Sequence, residues 1–578
     1  MSILIEYENG SLKTAALVSE RKTPSPSYQC EDKKTFCIGD IYDVTFEDLS
    51  KMDWQTNPQI LNDILGTKAI AQANSSSCTF AVDMNGWDTF YYYQSGSRFI
   101  LSDNFWDVVK RLEPTYEDLN PAKLRRYLLV PPISGETFIR NLYILTPSHI
   151  GIYDAEKNIM TIQKYQEFQY TSEITDISEA ADRVDAVLHS AMENIKKKCG
   201  DVLFGSGLSG GMDSRLIPHY AKAHGLRLVT FNTCIPKPHG FLRAQSIIRA
   251  QNLARIFDIP FTPVRWKNDK IKEKLRFVTK NNPLDVGGCA FKHESDGKPQ
   301  YDIHLTGTAG EAIGDSLPRG LSQLSEQELI DIIIQSFFPS FTTSFSNQAS
   351  RAISYLLDKK SKIGDSDRGM LMSRLLTDQD YAEAEEEVVS FVSRDKEIGK
   401  SNIEIFEDYL FNALCSRSRP GAHESVIATK RAFSIYIPFI LREVLNWDPI
   451  LLEDRAVLTE LIRHHVPEVA EVRAETFFAA ANNQKPGVLS KALALSETLL
   501  RGNGTAIERY TYRKRQFRKL FLDEINQNRS DWFHRAMGIC DTEVTEKMML
   551  NDTPRVASRV WQLKDVIDCL EHKDYLSF

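Results

Sequence analysis

The chain has 578 residues, more than the roughly 250–300 at which a single hydrophobic core stops growing, so two or more domains are expected. With 70 Lys and Arg against 78 Asp and Glu, the formal net charge of −8 argues against a nucleic-acid partner. The nine cysteines form no CxxC pair, the first residues lack a signal-peptide pattern, and no apolar run reaches the roughly 20 residues of a membrane span, which predicts a cytoplasmic protein without a membrane partner.

The first third of the chain is predicted to be rich in strands. Short β-branched and aromatic runs at 78–84, 89–94 and 97–103 are separated by Gly, Asn and Ser turns. A helix is predicted over 119–130, and strand character returns over 137–154. This pattern predicts an α+β region of stacked antiparallel sheets.

The hydrophobic period then changes from strand to helix. Apolar residues at helical spacing from Ile177 to Ile195 predict an amphipathic helix that ends in lysines, where the helix dipole favours cations. Strands with helices between them are predicted next: 201–206, 226–232, 261–266 and 303–307. This alternation is typical of a parallel sheet covered by helices. Beyond about residue 320 the chain is predicted to be mainly helical.

The stretch FGSGLSGGMDSRLI, residues 204–217, begins in the first of these strands and leads into a predicted helix. Open parallel sheets bind ligands at this edge, and glycines let backbone N–H donors approach an oxyanion next to a helix N-terminus. Asp213 would repel a phosphate unless a cation intervened, so it predicts Mg²⁺ between carboxylate and phosphate oxygens. The spacing is not that of a Walker loop. SGGMDS instead matches the pyrophosphate-binding loop of ATP pyrophosphatases.

With this loop placed after a strand-rich region, the chain resembles the asparagine synthetase (class B) superfamily. Four other segments resemble parts of that family in the same order: DMNGWDTFYYYQSGSRFILSD (83–103), GETFIRNLYILTPSHIGIYD (135–154), LTGTAGEAIG (305–314) and IYIPFILREVLN (435–446). The resemblance implies an α/β protein overall. It implies a degenerate glutaminase-like (Ntn-type) domain of antiparallel sheets over 1–170 and a parallel-sheet ATP-pyrophosphatase domain with a mainly helical C-terminal part over 171–490. A helical extension over 491–578 is expected to pack on the second domain.

The resemblance also implies a reaction and its cofactors, ATP and Mg²⁺. A carboxylate attacks the α-phosphate of ATP, pyrophosphate leaves, and an amine attacks the acyl-adenylate to form an amide. The implied ligands of ATP and pyrophosphate are Leu208, Ser209, Gly210, Gly211, Asp213, Ser214, Asn232 and Gly307. Asp213 and Glu311 are the implied metal ligands, and Glu311, which stands where the family usually has Asp, is also implied in catalysis.

Two departures from the family narrow this interpretation. The chain begins Met1-Ser2, whereas glutamine-hydrolysing members begin Met-Cys, and a hydroxyl is a poor nucleophile without an adjacent base. We therefore expect a glutaminase scaffold without glutaminase chemistry, as in beta-lactam synthetases and lasso-peptide cyclases. The family's catalytic lysine has no counterpart next to Arg473, and Lys485 is the nearest candidate. Lys485 as catalytic residue and as solvated loop lysine are equally weighted alternatives.

The leading hypothesis is an ATP-dependent amide-forming ligase in specialised or natural-product biosynthesis. Its expected partners are a small-molecule or peptide carboxylate and an amine, and a homodimer stays open. The identity of both substrates, and whether the amide forms within one molecule, also stay open. A tRNA-modifying ATP pyrophosphatase is one alternative, disfavoured by the position of the loop, the acidity and the lack of paired cysteines. A nucleotide-binding pseudoenzyme is another, kept open by Glu311 and by the absent standard lysine.

Overall fold

The computed structural model describes residues 2–19, 27–30, 34–129, 133–209, 211–234, 245–266, 276, 279–280, 283–284, 295–296, 299–307, 313, 317, 320–337, 375–417, 431–436, 442–472, 530–538 and 554–577. Strands β1 to β17 are, in chain order, Ser2–Glu8, Ser11–Ser19, Ser27–Cys30, Thr35–Ile38, Ala69–Ala73, Ser77–Val82, Tyr91–Ser95, Arg98–Ser102, Leu142–Ile144, His149–Asp154, Ile159–Lys164, Leu203–Gly207, Arg227–Cys234, Phe261–Trp266, Ser295–Asp296, Ile303–Thr306 and Arg431–Ser434. Helices α1 to α13 are Phe46–Lys51, Ile60–Asp63, Phe105–Leu112, Pro121–Leu129, Ile177–Cys199, Met212–Ala223, Gln245–Phe257, Glu326–Phe337, Asp378–Glu397, Asn402–Arg417, Ala456–His465, Asp531–Met537 and Pro554–Glu571. Within these ranges, every helix is too short or too polar to cross a bilayer.

The N-terminal part consists of two stacked antiparallel sheets. One has the order β2-β1-β8-β7-β9 and the other β11-β10-β6-β5-β4-β3. Because side chains alternate along a strand, Ile3, Ile5 and Tyr7 of β1 face the second sheet, where the Phe99 ring stacks on Tyr153 at 4.3 Å between centroids. Helices α3 and α4 cover the outer face of the first sheet, and α1 and α2 cover that of the second. The predicted stacked antiparallel sheets are confirmed.

The third sheet has the order β15-β14-β13-β12-β16-β17 and places β12 near its centre. Strands β14, β13, β12, β16 and β17 are parallel to one another. The short β15 pairs with β14 in the antiparallel direction at one edge. Helix α6 connects β12 to β13, and α7 connects β13 to β14. The predicted α/β class is therefore confirmed. Strand β17 lies in a region that was expected to be mainly helical, and it pairs with β16 from Ile303↔Arg431 to Thr306↔Ser434.

Side chains of both parts make the contacts between them. At the end of α5, Lys198 Nζ lies 2.7 Å from Asp40 Oδ1 and donates to the Ile41 carbonyl at 3.1 Å. The Trp106 indole donates to the carbonyl of Thr279 at 3.0 Å. Helix α13 reaches α4 through Arg559, which donates to the carbonyls of residues 128 and 129 at 3.0 and 3.1 Å. The C-terminal extension was expected to pack on the parallel-sheet part, and this contact of α13 with α4 was not predicted.

Candidate functional site

The glycine- and serine-rich loop joins β12 to α6 at the carboxyl edge of the parallel sheet. Strand β12 is buried at Phe204, Gly205 and Ser206, so the loop emerges from the centre of the sheet. Only glycine fits at position 205, because a Cβ there would lie 2.3 Å from the Tyr301 ring. The loop is thus held at the edge where open parallel sheets bind their ligands.

Two serine hydroxyls brace the loop from inside. Ser209 Oγ and Ser214 Oγ lie 3.1 Å apart, the Gly211 amide donates to Ser209 Oγ at 3.1 Å, and the Ser209 amide donates to Ser214 Oγ at 3.3 Å. The N-cap of α6 is Gly211, which has extended backbone and no side chain with which to cap the helix. Because first-turn amides have no intrahelical acceptor, the amides that follow Gly211 are the ones suited to an anion.

Three side chains, Arg215 of α6 itself and the more distant Asn232 and Tyr436, donate to carbonyls of the loop and of the first helical turn. Asn232 Nδ2 donates to the Leu208 carbonyl at 2.8 Å, Arg215 Nε to that of Gly211 at 3.2 Å, and the Tyr436 hydroxyl to that of Asp213 at 3.1 Å. In a planar trans peptide the C=O and the next N–H point in opposite directions. Fixing these carbonyls therefore orients the N–H groups of residues 209, 212 and 214 away from the tethering side chains.

Cationic side chains surround the start of α6. Arg215 is fully buried, and its Nη1 donates to the carbonyls of Val469 and Val472 at 3.0 and 2.8 Å. Burial and, to a smaller extent, the charge of the neighbouring Arg249 lower the pKa of Arg215 to about 10 against the opposing effect of Asp213, so the guanidinium is charged at neutral pH. Arg455 Nη1 approaches Met212 Sδ at 3.7 Å. Guanidinium groups next to helix N-terminal amides favour an anionic ligand.

The structure brings together seven of the residues implied as nucleotide ligands: Leu208, Ser209, Gly211, Asp213, Ser214, Asn232 and Gly307. A Cβ on Gly307 would lie 3.5 Å from Asp213 Cβ, which places the end of β16 beside the first turn of α6. The Leu208 side chain is buried, and its amide donates to the Phe231 carbonyl at 2.8 Å. Leu208 can therefore support the loop but offers a ligand little beyond its backbone.

The remaining predicted residues, Gly210, Glu311 and Lys485 with Arg473 before it, lie outside the described residues. Within the described ranges, no three His, Cys, Asp or Glu side chains are grouped so that they could hold a metal ion. Asp213 is nevertheless suited to Mg²⁺, because this ion commonly takes one or two protein carboxylates and completes its shell with water and substrate phosphates. The second ligand and the catalytic lysine stay predictions.

Arg215, Tyr436 and Arg455 contact the loop or the first turn of α6, and none of them was predicted from the sequence. Arg215 lies next to the SGGMDS motif and Tyr436 lies inside segment 435–446, both of which carry the resemblance to the family, so proximity to a motif was an available signal. The contacts of Arg215 with Val469 and of Tyr436 with Asp213 could not be predicted from the sequence, because each joins segments more than 200 residues apart.

The N-terminal sheets hold Ser2, which stands where glutamine-hydrolysing members have their nucleophile and which was expected to lack that role. Its side chain is fully buried, and its hydroxyl donates to the Asp107 carboxylate, while the amide of Ile3 donates to Asp103 Oδ1 at 2.6 Å. Cys37 is also fully buried, and burial raises the pKa of its thiol. These groups serve packing and internal hydrogen bonding in the described structure.

No protein-family model matches the chain, and no curated protein is similar to it. Among solved structures, the allosteric regulatory enzyme of purine biosynthesis is similar over 43% of this chain and 58% of its own, at 12% identity and a TM-score of 0.15. Glutamine phosphoribosylpyrophosphate (PRPP) amidotransferase from B. subtilis, complexed with ADP and GMP, is similar over 53% of this chain and 69% of its own, at 11% identity and a TM-score of 0.17. The chain thus spans less than two thirds of the first of these structures.

Proposed function

We propose that the chain is an ATP-dependent ligase that adenylates a carboxylate, releases pyrophosphate and passes the acyl group to an amine. The single observation that carries this proposal is the orientation of the loop. Its carbonyls are held from behind by Asn232, Arg215 and Tyr436, and the amides at the start of α6 lie at the carboxyl edge of the parallel sheet. A backbone arranged in this way suits the charge that develops on a departing pyrophosphate.

The charged residues suit the same chemistry. Mg²⁺, held by Asp213 and by the predicted ligand Glu311, would neutralise phosphate charge and polarise the bond to the α-phosphate. Arg215 and Arg249 lie close enough for their charges to interact, and such a cationic setting stabilises a polyphosphate before and after cleavage. Lys485 is proposed to approach the acyl-adenylate.

We propose that the N-terminal sheets do not hydrolyse glutamine. Ser2 is held by Asp107 inside the protein, where a nucleophilic hydroxyl has no access to a substrate from solvent. The amine would then come from a second substrate, from ammonia or from the same molecule as the acid. The proposed units are residues 1–170, 171–490 and 491–578, and these boundaries stay predictions.

ATP–pyrophosphate exchange tests the proposal directly. Purified full-length protein is incubated with ATP, Mg²⁺ and labelled pyrophosphate, with a panel of carboxylic acids and peptides, and MgATP binding is measured by calorimetry in parallel. Acid-dependent exchange that Asp213→Asn removes supports adenylation. MgATP binding without exchange for any acid would indicate a nucleotide-binding pseudoenzyme, and exchange that requires RNA would indicate tRNA modification.

A further inference from the structure

One guanidinium joins the proposed phosphate loop to a distant segment. Arg215 Nε bonds the Gly211 carbonyl at the start of α6, whereas its Nη1 bonds the carbonyls of Val469 and Val472 at 3.0 and 2.8 Å, about 254 residues further along the chain. The Arg215 side chain is fully buried. Breaking these bonds would leave the buried Val469 carbonyl, two partly buried carbonyls and a buried charge without equivalent partners, which is costly.

A second contact from the same helix face supports this junction. His219 lies one turn after Arg215, and its Nδ1 is 3.0 Å from Glu468 Oε1. Residues four apart lie on the same helix face, so the side chains of Arg215 and His219 both contact the segment 466–472. Within that segment the amides of Val469 and Val472 bond to carbonyls three residues earlier, and Val469 is buried. The segment is therefore a short ordered unit fixed to α6.

The geometry of one peptide group connects this junction to the ligand. The Gly211 carbonyl and the Met212 amide belong to the same peptide plane and point in opposite directions. An oxyanion that accepts a hydrogen bond from the Met212 amide would pull on one side of this peptide group, while Arg215 Nε donates to the Gly211 carbonyl on the other side. Any tilt of the peptide is passed to the guanidinium and then to the carbonyls of Val469 and Val472.

We propose that Arg215 is a positioning residue that couples the phosphate loop to the segment 466–472, so that a magnesium polyphosphate in the loop further stabilises that segment. The inference rests on the proposed nucleotide-binding function and adds a regulated partner segment to it. Lysine cannot replace the residue, because arginine serves the two segments from different nitrogens of one rigid plane and lysine has a single nitrogen.

Hydrogen–deuterium exchange of the full chain, with and without MgATP and magnesium pyrophosphate, tests the coupling. In the unsubstituted protein we expect slower exchange both in the loop peptides and in peptides covering 466–472. In Arg215→Lys we expect protection in the loop alone and a MgATP dissociation constant raised roughly tenfold, as expected for loss of a charged hydrogen bond. The measurement on the unsubstituted protein is decisive even where this variant does not fold.

Arg559→Lys is the matched control. Arg559 is also a buried arginine whose Nη1 donates to two backbone carbonyls, but it joins α13 to α4. We expect this variant to keep the coupled protection and the affinity for MgATP. Protection of the loop without protection of 466–472 in the unsubstituted protein overturns the inference, as does coupling that survives in Arg215→Lys or is lost equally in Arg559→Lys. If MgATP protects neither region, the proposed nucleotide binding itself fails.

Discussion

The phosphate loop and the interior of the N-terminal sheets contain similar polar groups but use them differently. In the loop, the side chains of Arg215, Asn232 and Tyr436 donate to backbone carbonyls and orient amides toward one side. In the N-terminal part, Ser2 bonds Asp107, and Lys68 Nζ donates to the carbonyls of Leu61 and Ile64 at 2.6 and 2.9 Å. The first arrangement leaves donors for a ligand, and the second uses its polar groups to hold the protein together.

The largest expected effect is on stability and concerns the N-terminal part. Lys68 and Asp83 are both fully buried and form an ion pair at 3.3 Å. We expect Lys68→Met to lower the free energy of unfolding by about 3–5 kcal/mol, because it leaves the carboxylate of Asp83 buried without its cation. Urea unfolding measures this change. The MgATP affinity of the folded variant should not change, and a parallel loss of affinity would break the comparison between the two regions.

The contact between Tyr170, which follows the N-terminal sheets, and Glu407 of α10 is expected to make the stability of the protein depend on pH. Tyr170 bonds the Glu407 carboxyl through its hydroxyl, and burial raises the pKa of Glu407 to about 8. A carboxyl with a raised folded-state pKa stabilises the protein below its unfolded value, and this contribution is lost as pH rises through about 8. We expect unfolding free energy to fall by up to about 4 kcal/mol between pH 5 and pH 8.

Glu407→Gln isolates the contribution that ionisation of Glu407 makes to the pH dependence of stability. It keeps the shape of the protonated carboxyl but cannot ionise, so the slope of stability against pH should flatten and the variant should exceed the unsubstituted protein in stability at pH 8.5. Thermal unfolding at a series of pH values measures both curves. Two parallel curves would show that Glu407 does not cause the pH dependence.

The third prediction contrasts the implied metal ligand Asp213 with Ser2, which is expected to take no part in the reaction. Asp213→Asn keeps the size of the side chain but removes the charge proposed to hold Mg²⁺, so acid-dependent ATP–pyrophosphate exchange should fall by about 100-fold or more. Ser2→Ala removes a buried hydroxyl and should leave the exchange rate unchanged while lowering stability by about 1–3 kcal/mol. If Ser2→Ala also abolished exchange, the N-terminal part would belong to the reaction.

Regular elements with a clear period could be predicted from the sequence. The helix expected from Ile177 is observed as Ile177–Cys199, because apolar residues from Ala180 to Ile195 recur on one buried face and Asp176 caps its first turn. The strand predicted over 261–266 is observed as Phe261–Trp266. Strand Arg431–Ser434 was missed, because four residues are too short to show a period and its place is set by pairing with β16.

The loop could be located from the sequence, but the groups that hold it could not. Glycine, serine and Asp213 lie within one short motif, so their meeting follows from local chain connectivity. Tyr436, Arg215 and Lys68 act through contacts with carbonyls or a carboxylate that only tertiary packing brings near. A charged residue in a sequence is expected at the surface, and burial of Arg215 and Lys68 has no local signature.

The smallest expected effect is also the sharpest comparison between the two regions. Tyr436 donates its hydroxyl to the Asp213 carbonyl at 3.1 Å, and Tyr127 of the N-terminal part donates its own to the Glu136 carbonyl at 3.1 Å. Both side chains are buried, so Tyr→Phe removes the same hydrogen bond in each and should cost about 1 kcal/mol of stability. Only Tyr436→Phe should also loosen the first turn of α6 and raise the MgATP dissociation constant about fivefold. Calorimetry on the two variants measures this difference, and equal dissociation constants would mean that tethering a carbonyl at the loop contributes no more to binding than a bond elsewhere in the protein.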